Sequence, residues 1–192
     1  MKSVFSGFVF ASVMLSAYSV SASPITLQAA LSGANEVPSN NSPAIGFATV
    51  ILDPVAQTLQ VNATFSGLTA NDIAAHIHCC APLGTNAGVA TTVPAFPGFP
   101  LGVMSGTYIS PVFDLTQPLI YNPAFVTLEG GLLQAEAAFI SGLENGQTYF
   151  NIHTGNFPGG EIRGQLVPEP ASFALFGSAL FAFGLIRRRK KH

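Results

Sequence analysis

The sequence predicts an all-β domain, an antiparallel β-sandwich or barrel of about seven to eight short strands, with a hydrophobic helix at the C-terminus. Three observations support this prediction. Several short segments alternate apolar and polar residues with a period of two, as half-buried strands do. Glycine (19 residues) and proline (14 residues) are frequent and separate these segments. The stretch between residues 23 and 167 shows no long 3.6-residue period, and its length suits one domain with a hydrophobic core.

The predicted strands follow one another along this stretch, at 25–31, 44–52, 58–65, 74–79, 135–140, 148–153 and 161–167. The segment 58–65 is the clearest, because its apolar residues all fall on alternate positions. Six prolines between residues 81 and 121 predict mainly loops there. Residues 128–143 are rich in Ala, Gln, Glu and Leu, so a short helix is the alternative to the strand at 135–140.

The first 22 residues are expected to be a secretory signal peptide. Lys2 supplies the positive start, residues 4–15 form an apolar segment, and small residues precede a cleavage site before Ser23. A buried N-terminal helix is the alternative, although the segment has no amphipathic period. We therefore expect a domain boundary between residues 22 and 23.

The C-terminal 25 residues, 168–192, have three parts in a fixed order. Pro168, Glu169 and Pro170 come first, residues 171–186 are apolar and uncharged, and residues 187–191 are five consecutive cations. A helix of sixteen residues rises about 24 Å, slightly less than the roughly 30 Å hydrocarbon core of a membrane. The cations are expected to stay in the cytoplasm. We therefore expect an exported chain that is held in the inner membrane, at least transiently, by residues 171–186.

This tripartite end resembles the PEP-CTERM sorting signal of Gram-negative bacteria. The resemblance implies that an exosortase is the partner of the chain. It would act near Pro168, Glu169 and Pro170, and it would release the protein or transfer it to the cell surface. A permanent C-terminal membrane anchor is the alternative.

The charge distribution argues against two classes of function. Charged residues make up 8% of the chain, and six of its seven basic residues lie in the two tails. Residues 23–167 hold eight carboxylates and one arginine, a net charge of −7. Nucleic-acid binding is therefore not expected, because it requires clustered Lys and Arg. A phosphate-handling enzyme is disfavoured for the same reason.

Four segments in the body of the chain carry a second resemblance. They are LSGANEVP at 31–38, AHIH at 75–78, NIHT at 151–154 and FPGGEIRG at 157–164. Together they resemble the CHRD domain, a module named after chordin and found alone in many secreted bacterial proteins. The resemblance covers roughly residues 26–166 and implies a β-rich extracellular module. It implies no activity, and growth-factor binding by chordin is not transferred to this chain.

Three histidines form the candidate metal site. His76 and His78 are two residues apart, so on a strand both side chains point to the same face. A weak internal repeat with an offset of 75 residues aligns His78 with His153, which could supply a third nitrogen. Three imidazoles suit copper or zinc. The alternative is a structural role, in which the histidines are hydrogen-bonded to loop carbonyls.

Two further residue pairs are candidates. Adjacent Cys79 and Cys80 are expected to form a vicinal disulfide in an exported protein. Free thiols favouring Cu(I) or zinc, or intermolecular bridges, are the alternatives. Glu161 and Arg163 are predicted to form a structural ion pair on the last strand, and an anion contact near His153 is the alternative.

The sequence therefore favours an exported, non-enzymatic protein of the cell surface or extracellular matrix, sorted by an exosortase and located among exopolysaccharide. The alternative is a secreted, redox-active or inert, copper- or zinc-binding protein that uses the three histidines. A hydrolase acting on a matrix polymer is a third hypothesis, for which no catalytic constellation is visible.

Overall fold

The computed structural model describes residues 23–169. The ten strands within these residues form a single sheet. The strands are β1 (Ile25–Ser32), β2 (Ile45–Asp53), β3 (Thr58–Ser66), β4 (Asp72–Cys79), β5 (Gly88–Val89), β6 (Gly106–Ile109), β7 (Phe113–Asp114), β8 (Thr148–Thr154), β9 (Ile162–Gln165) and β10 (Val167–Pro168). The two α-helices are α1 (Pro123–Glu129) and α2 (Leu132–Glu144). The strand order is β5-β4-β8-β9-β1-β2-β3-β6, with β10 paired to β1 and β7 paired to β3.

Every pairing between these strands is antiparallel, and the sheet curves into a half-barrel. The all-β prediction is therefore confirmed. The alternation predicted for residues 58–65 also holds in β3, where Leu59, Val61, Ala63 and Phe65 are all buried. The proline-rich region is less irregular than predicted, since it contributes β5, β6 and β7 to the sheet.

The strand predicted at residues 135–140 is wrong, and the helical alternative is correct. The Asn122 side chain accepts a hydrogen bond from the Ala124 amide and caps α1, while Gly130 ends α1 in the left-handed conformation. In α2, Ala135, Phe139 and Leu143 are spaced four residues apart and are all buried in the core. A strand would also place Ala137 on this face, between Ala135 and Phe139, but Ala137 is exposed, as the helical period requires.

The strands β4, β8 and β9 are adjacent and position the candidate site. In register, His76 of β4 lies opposite Asn151 of β8, which lies opposite Arg163 of β9. One face of these strands packs into the hydrophobic core through Ile77, Phe150 and other apolar residues. The other face is also buried, although it carries polar side chains, because loops fold over it. A polar patch is therefore enclosed between the sheet and its loops.

Several predicted segments lie outside the described residues. These are the signal peptide at 1–22, Pro170, the hydrophobic segment 171–186 and the basic tail. Pro168 pairs with Leu27 at the end of the sheet, and the Glu169 amide donates to the Thr26 carbonyl at 2.9 Å. Within residues 23–169, no helix has the length and apolar character needed to cross a membrane.

Candidate metal centre

The structure brings His76, His78 and His153 together on the enclosed face of the sheet. One ring nitrogen of each histidine lies within 4.8 Å of the others. The ring centroid of His76 is 4.8 Å from that of His78 and 4.6 Å from that of His153. This proximity follows from the register: because Asn151 lies opposite His76, His153 is the diagonal neighbour of His76 on the same face.

Loop carbonyls fix the orientation of two of the rings. The Nδ1 atom of His78 lies 2.9 Å from the Ala87 carbonyl oxygen, and that of His153 lies 2.9 Å from the Pro158 carbonyl oxygen. A carbonyl oxygen can only accept, so Nδ1 carries the hydrogen in both rings and Nε2 carries a lone pair. Metal-binding histidines are typically oriented by such a bond. The contacts expected for a structural role therefore also prepare the rings for a metal.

Each of the three rings has one buried nitrogen with no hydrogen-bonding partner among the described residues. These buried atoms are Nε2 of His78, Nε2 of His153 and Nδ1 of His76. An unpaired buried polar atom costs roughly 1–3 kcal/mol. The Nε2 atoms of His78 and His153 carry lone pairs, and His76 Nδ1 carries one in the tautomer with its hydrogen on Nε2, so a metal ion can satisfy all three atoms.

All three imidazoles are held in the neutral form. Burial, with smaller contributions from the neighbouring His153 and His78, lowers the pKa of His76 to about 3. Burial also lowers the pKa of His78 to about 4, although its bond to Ala87 acts in the opposite direction. The pKa of His153 is lowered by burial against the effect of its bond to Pro158. Neutral imidazole is the form that binds metal.

The donor spacing suits a metal ion after a small adjustment. A zinc–nitrogen bond of about 2.0–2.1 Å places two ligand nitrogens roughly 3.3–3.5 Å apart. The widest nitrogen separation of 4.8 Å must therefore close by roughly 1.3–1.5 Å.

An aromatic ring and the domain's single arginine continue the polar patch. The Tyr149 ring stacks on His78, with centroids 4.5 Å apart, and the Arg163 guanidinium carbon lies 4.5 Å from the centroid of Tyr149. Arg163 donates from Nε to the Asn35 carbonyl and from Nη1 to the Asn86 side chain, both at 2.7 Å. Arg163 therefore ties together two of the loops that enclose the site.

The ion pair of Arg163 is with Glu36, so the predicted Glu161–Arg163 pair is corrected. The Glu36 Oε2 atom lies 4.0 Å from Arg163 Nε. The buried Glu161 carboxylate instead accepts hydrogen bonds from the Ser42 hydroxyl, the Thr69 amide and the Thr154 hydroxyl. The prediction assumed that residue 161 lies in the strand, but β9 begins at Ile162 and Glu161 occupies the bend before it.

Glu36 and Asn151 belong to the same patch, and sequence reasoning did not select them as site residues. The Oε1 atom of Glu36 and the Oδ1 atom of Asn151 are buried and have no hydrogen-bonding partner within residues 23–169. Burial raises the pKa of Glu36 to about 7, and the charge of Arg163 opposes this shift. Asn151 stands two residues before His153, and this same-face spacing is the signal that could have identified it.

The sulfur atoms of the two cysteines are not part of the histidine cluster. Cys79 and Cys80 are bonded to each other in the structure, and their sulfur atoms face α2. A methyl group at Gly142 of α2 would lie 2.5 Å from Cys79 Sγ and 2.9 Å from Cys80 Sγ. The cluster of ligating atoms contains nitrogens of the three histidines and neither sulfur. The structure therefore does not bring together a mixed histidine–cysteine site.

The fold and the site define an antiparallel β module that encloses a three-histidine patch beneath its loops. Residues 27–166 match the family model of the CHRD domain, and the chain belongs to this family. Residues 166–190 match the PEP-CTERM protein-sorting motif, so the chain is an exported protein sorted by an exosortase through a membrane-anchored step. Searches of curated proteins and of solved structures find no match to this chain.

Proposed function

We propose that this CHRD protein binds one copper or zinc ion through His76, His78 and His153 at the cell surface or in the extracellular matrix. Two observations carry the proposal: one ring nitrogen of each histidine lies within 4.8 Å of the others, and each ring has a buried nitrogen without a hydrogen-bonding partner among residues 23–169. Of the two roles expected for the histidines, metal binding accounts for the nitrogens that hydrogen bonding alone leaves without partners.

The chemistry of the donor set supports copper or zinc. Three imidazoles suit these two ions, whereas calcium and magnesium prefer oxygen ligands. The carbonyls of Ala87 and Pro158 serve as the outer contacts that hold the rings. The net charge of −7 on residues 23–167 also favours the approach of a cation. When bound, such an ion supplies a Lewis-acidic centre and, if it is copper, a one-electron redox centre.

The location follows from a proposed processing sequence. The signal peptide 1–22 directs export, residues 171–186 hold the chain in the inner membrane, and processing occurs near Pro168, Glu169 and Pro170. The domain 23–167 would then act outside the cell, among exopolysaccharide. In this account the domain needs no catalytic activity of its own, and its task is to display or hold the metal ion.

Metal titration of the mature protein, purified from an exporting host, tests the proposal. We expect uptake of one copper or zinc ion per chain at micromolar concentration. His76→Ala, His78→Ala and His153→Ala should each weaken the affinity at least about tenfold, since each removes one of three ligands. Asn62→Ala is the matched control, because Asn62 also has a buried, unpartnered oxygen but lies on β3, outside the cluster. A wild type that takes up neither metal would contradict the proposal.

A further inference from the structure

We propose that the metal ion keeps one exchangeable position, held by a water molecule, and that Asn151 and Glu36 position that water. This inference rests on the proposed metal site and adds to it the class of ligand that the site exchanges. It assigns a role to two residues that bind neither the metal nor a loop carbonyl in the account above.

Asn151 has the placement that this role requires. It lies directly opposite His76 in the antiparallel pair and two residues before His153 on the same strand face. Only 2% of its surface is exposed, and its Oδ1 atom has no hydrogen-bonding partner among the described residues. A buried amide oxygen at this position is available to accept a hydrogen bond from a ligand of the metal.

Glu36 reaches the same point from the loop after β1. A methyl group at Gly160 would lie 2.7 Å from Glu36 Oε1, 2.8 Å from Asn151 Oδ1 and 2.6 Å from Asn151 Nδ2. The glutamate oxygen and the asparagine amide therefore converge beside Gly160. The absence of a side chain at Gly160, which also has a φ of 129°, permits this approach.

One metal ion and one water molecule together would give a partner to each of the unpartnered histidine nitrogens and to the Glu36 and Asn151 oxygens. Nε2 of His78 and Nε2 of His153 carry lone pairs for the metal, and His76 Nδ1 carries the third when its hydrogen is on Nε2. The two unpartnered oxygens need hydrogen-bond donors. A water bound to the metal has two hydrogens to donate, one for Asn151 Oδ1 and one for Glu36 Oε1. The described histidine, cysteine and acidic side chains place only three ligating groups in the cluster, so a tetrahedral ion retains one position.

The position is accessible to small ligands only. The three histidines are 5–7% exposed, which excludes a large substrate from direct contact with the metal. A surface cleft of about 440 Å³ is lined by Glu36, Arg163 and Gln165, with Leu83 at its side. None of the three histidines lines this cleft, and Glu36 is the residue it shares with the proposed position, so we expect water and small anions to exchange past Glu36.

Azide titration of the protein loaded with Co²⁺ tests this inference, because cobalt replaces zinc and reports its ligands by visible absorption. At pH 8 we expect azide to displace the water and to change the spectrum saturably. Glu36→Gln removes a negative charge beside the position, so it should strengthen azide binding about tenfold. Asn151→Asp adds a negative charge and should weaken it by about the same factor. Asn62→Asp adds the same charge at a distance and should change azide binding less than about twofold.

The outcomes separate the two proposals. If the protein takes up no Co²⁺, copper or zinc, the proposed function fails and the exchangeable position fails with it. If Co²⁺ binds but azide leaves the spectrum unchanged, or if both site variants behave like Asn62→Asp, this inference alone is overturned. Glu36→Gln and Asn151→Asp preserve side-chain volume, and circular dichroism shows whether each variant folds.

Discussion

His76 on β4 and Asn151 on β8 lie directly opposite each other, and this pair sets the geometry of the whole polar patch. His78 and His153 stand two residues from its two members, on the same strand faces. Across the next strand pair, Asn151 lies opposite Arg163, which holds the enclosing loops. A single register therefore aligns the histidines, Asn151 and Arg163 on one face of the sheet.

Metal binding should stabilise the folded protein. An ion that binds only the native state adds about 2.7 kcal/mol when its free concentration is 100 times Kd. Thermal unfolding with and without zinc should show a rise in Tm that a chelator reverses. In His78→Ala the rise should be lost, whereas Asn62→Ala should keep it. An equal rise in both variants would place the metal elsewhere.

The metal-free protein should lose stability in weak acid. The pKa values of His76 and His78 are about 3 and 4 in the folded state, and about 6.5 when unfolded. The unfolded state therefore binds more protons, and the stability present above pH 6.5 falls as the pH drops towards 4. Urea unfolding at pH 7, 6 and 5 measures this fall, which His76→Gln should reduce. A stability that is flat over this range in the wild type would contradict the burial of neutral histidines.

Glu36 should change the stability of the folded protein with pH in the direction opposite to that of the histidines. Its pKa is raised from 4.5 to about 7 in the folded state, so the folded protein binds the proton more tightly. The resulting stabilisation is complete below pH 4.5 and is lost as the pH rises through about 7. Glu36→Gln should remove this dependence and leave the histidine effect in place. Urea unfolding of Glu36→Gln at pH 7, 6 and 5 checks this direction. The free energy of unfolding of the variant should fall more steeply towards acid pH than that of the wild type.

The disulfide should be coupled to α2 and independent of the metal site. Gly142→Ala places a methyl group 2.5 Å from Cys79 Sγ, and such overpacking typically costs 1–3 kcal/mol of unfolding free energy. Gly155→Ala is the control, because nothing lies within 4 Å of a methyl group there. Denaturant unfolding measures both, and metal stoichiometry should be the same in both. Loss of metal by Gly142→Ala in its folded form would show that the two regions are linked.

Sorting should depend on the basic tail. The cations at residues 187–191 are expected to keep the C-terminus in the cytoplasm. Replacing all five with neutral residues should disturb retention or processing, as seen by the size and location of the protein in cell fractions. The same number of neutral substitutions at exposed positions of the domain serves as the control. Unchanged release would count against the sorting step.

The features that depend on local pattern could be predicted from the sequence. The two-residue spacing of His76 and His78 places both on one face, and the repeat that includes His153 identifies the strand that lies beside them. The alternation in β3 likewise predicts its buried face. The spacing of His76 and His78 and the alternation in β3 both follow from strand periodicity, which can be recognised directly in the sequence.

The features that depend on distant pairing could not be predicted. Glu36 and Asn151 both approach Gly160 because the loop after β1 folds over β8 and β9, and the two residues are more than a hundred positions apart in the sequence. The two-residue spacing of Glu161 and Arg163 predicts an ion pair only if both residues lie in one strand, and the chain bends at Glu161. The helix α2 was ambiguous because apolar runs of its length suit either structure until packing against the core decides.

X-ray absorption spectroscopy of the zinc-loaded mature protein tests the central claim most directly, because it reports the atoms bound to the ion. The account predicts one zinc per chain with three imidazole nitrogens and one further oxygen or nitrogen, all at about 2.0 Å. The imidazole signal should decrease in His153→Ala. A spectrum with sulfur ligands, or with oxygen ligands alone, would contradict a centre formed by His76, His78 and His153.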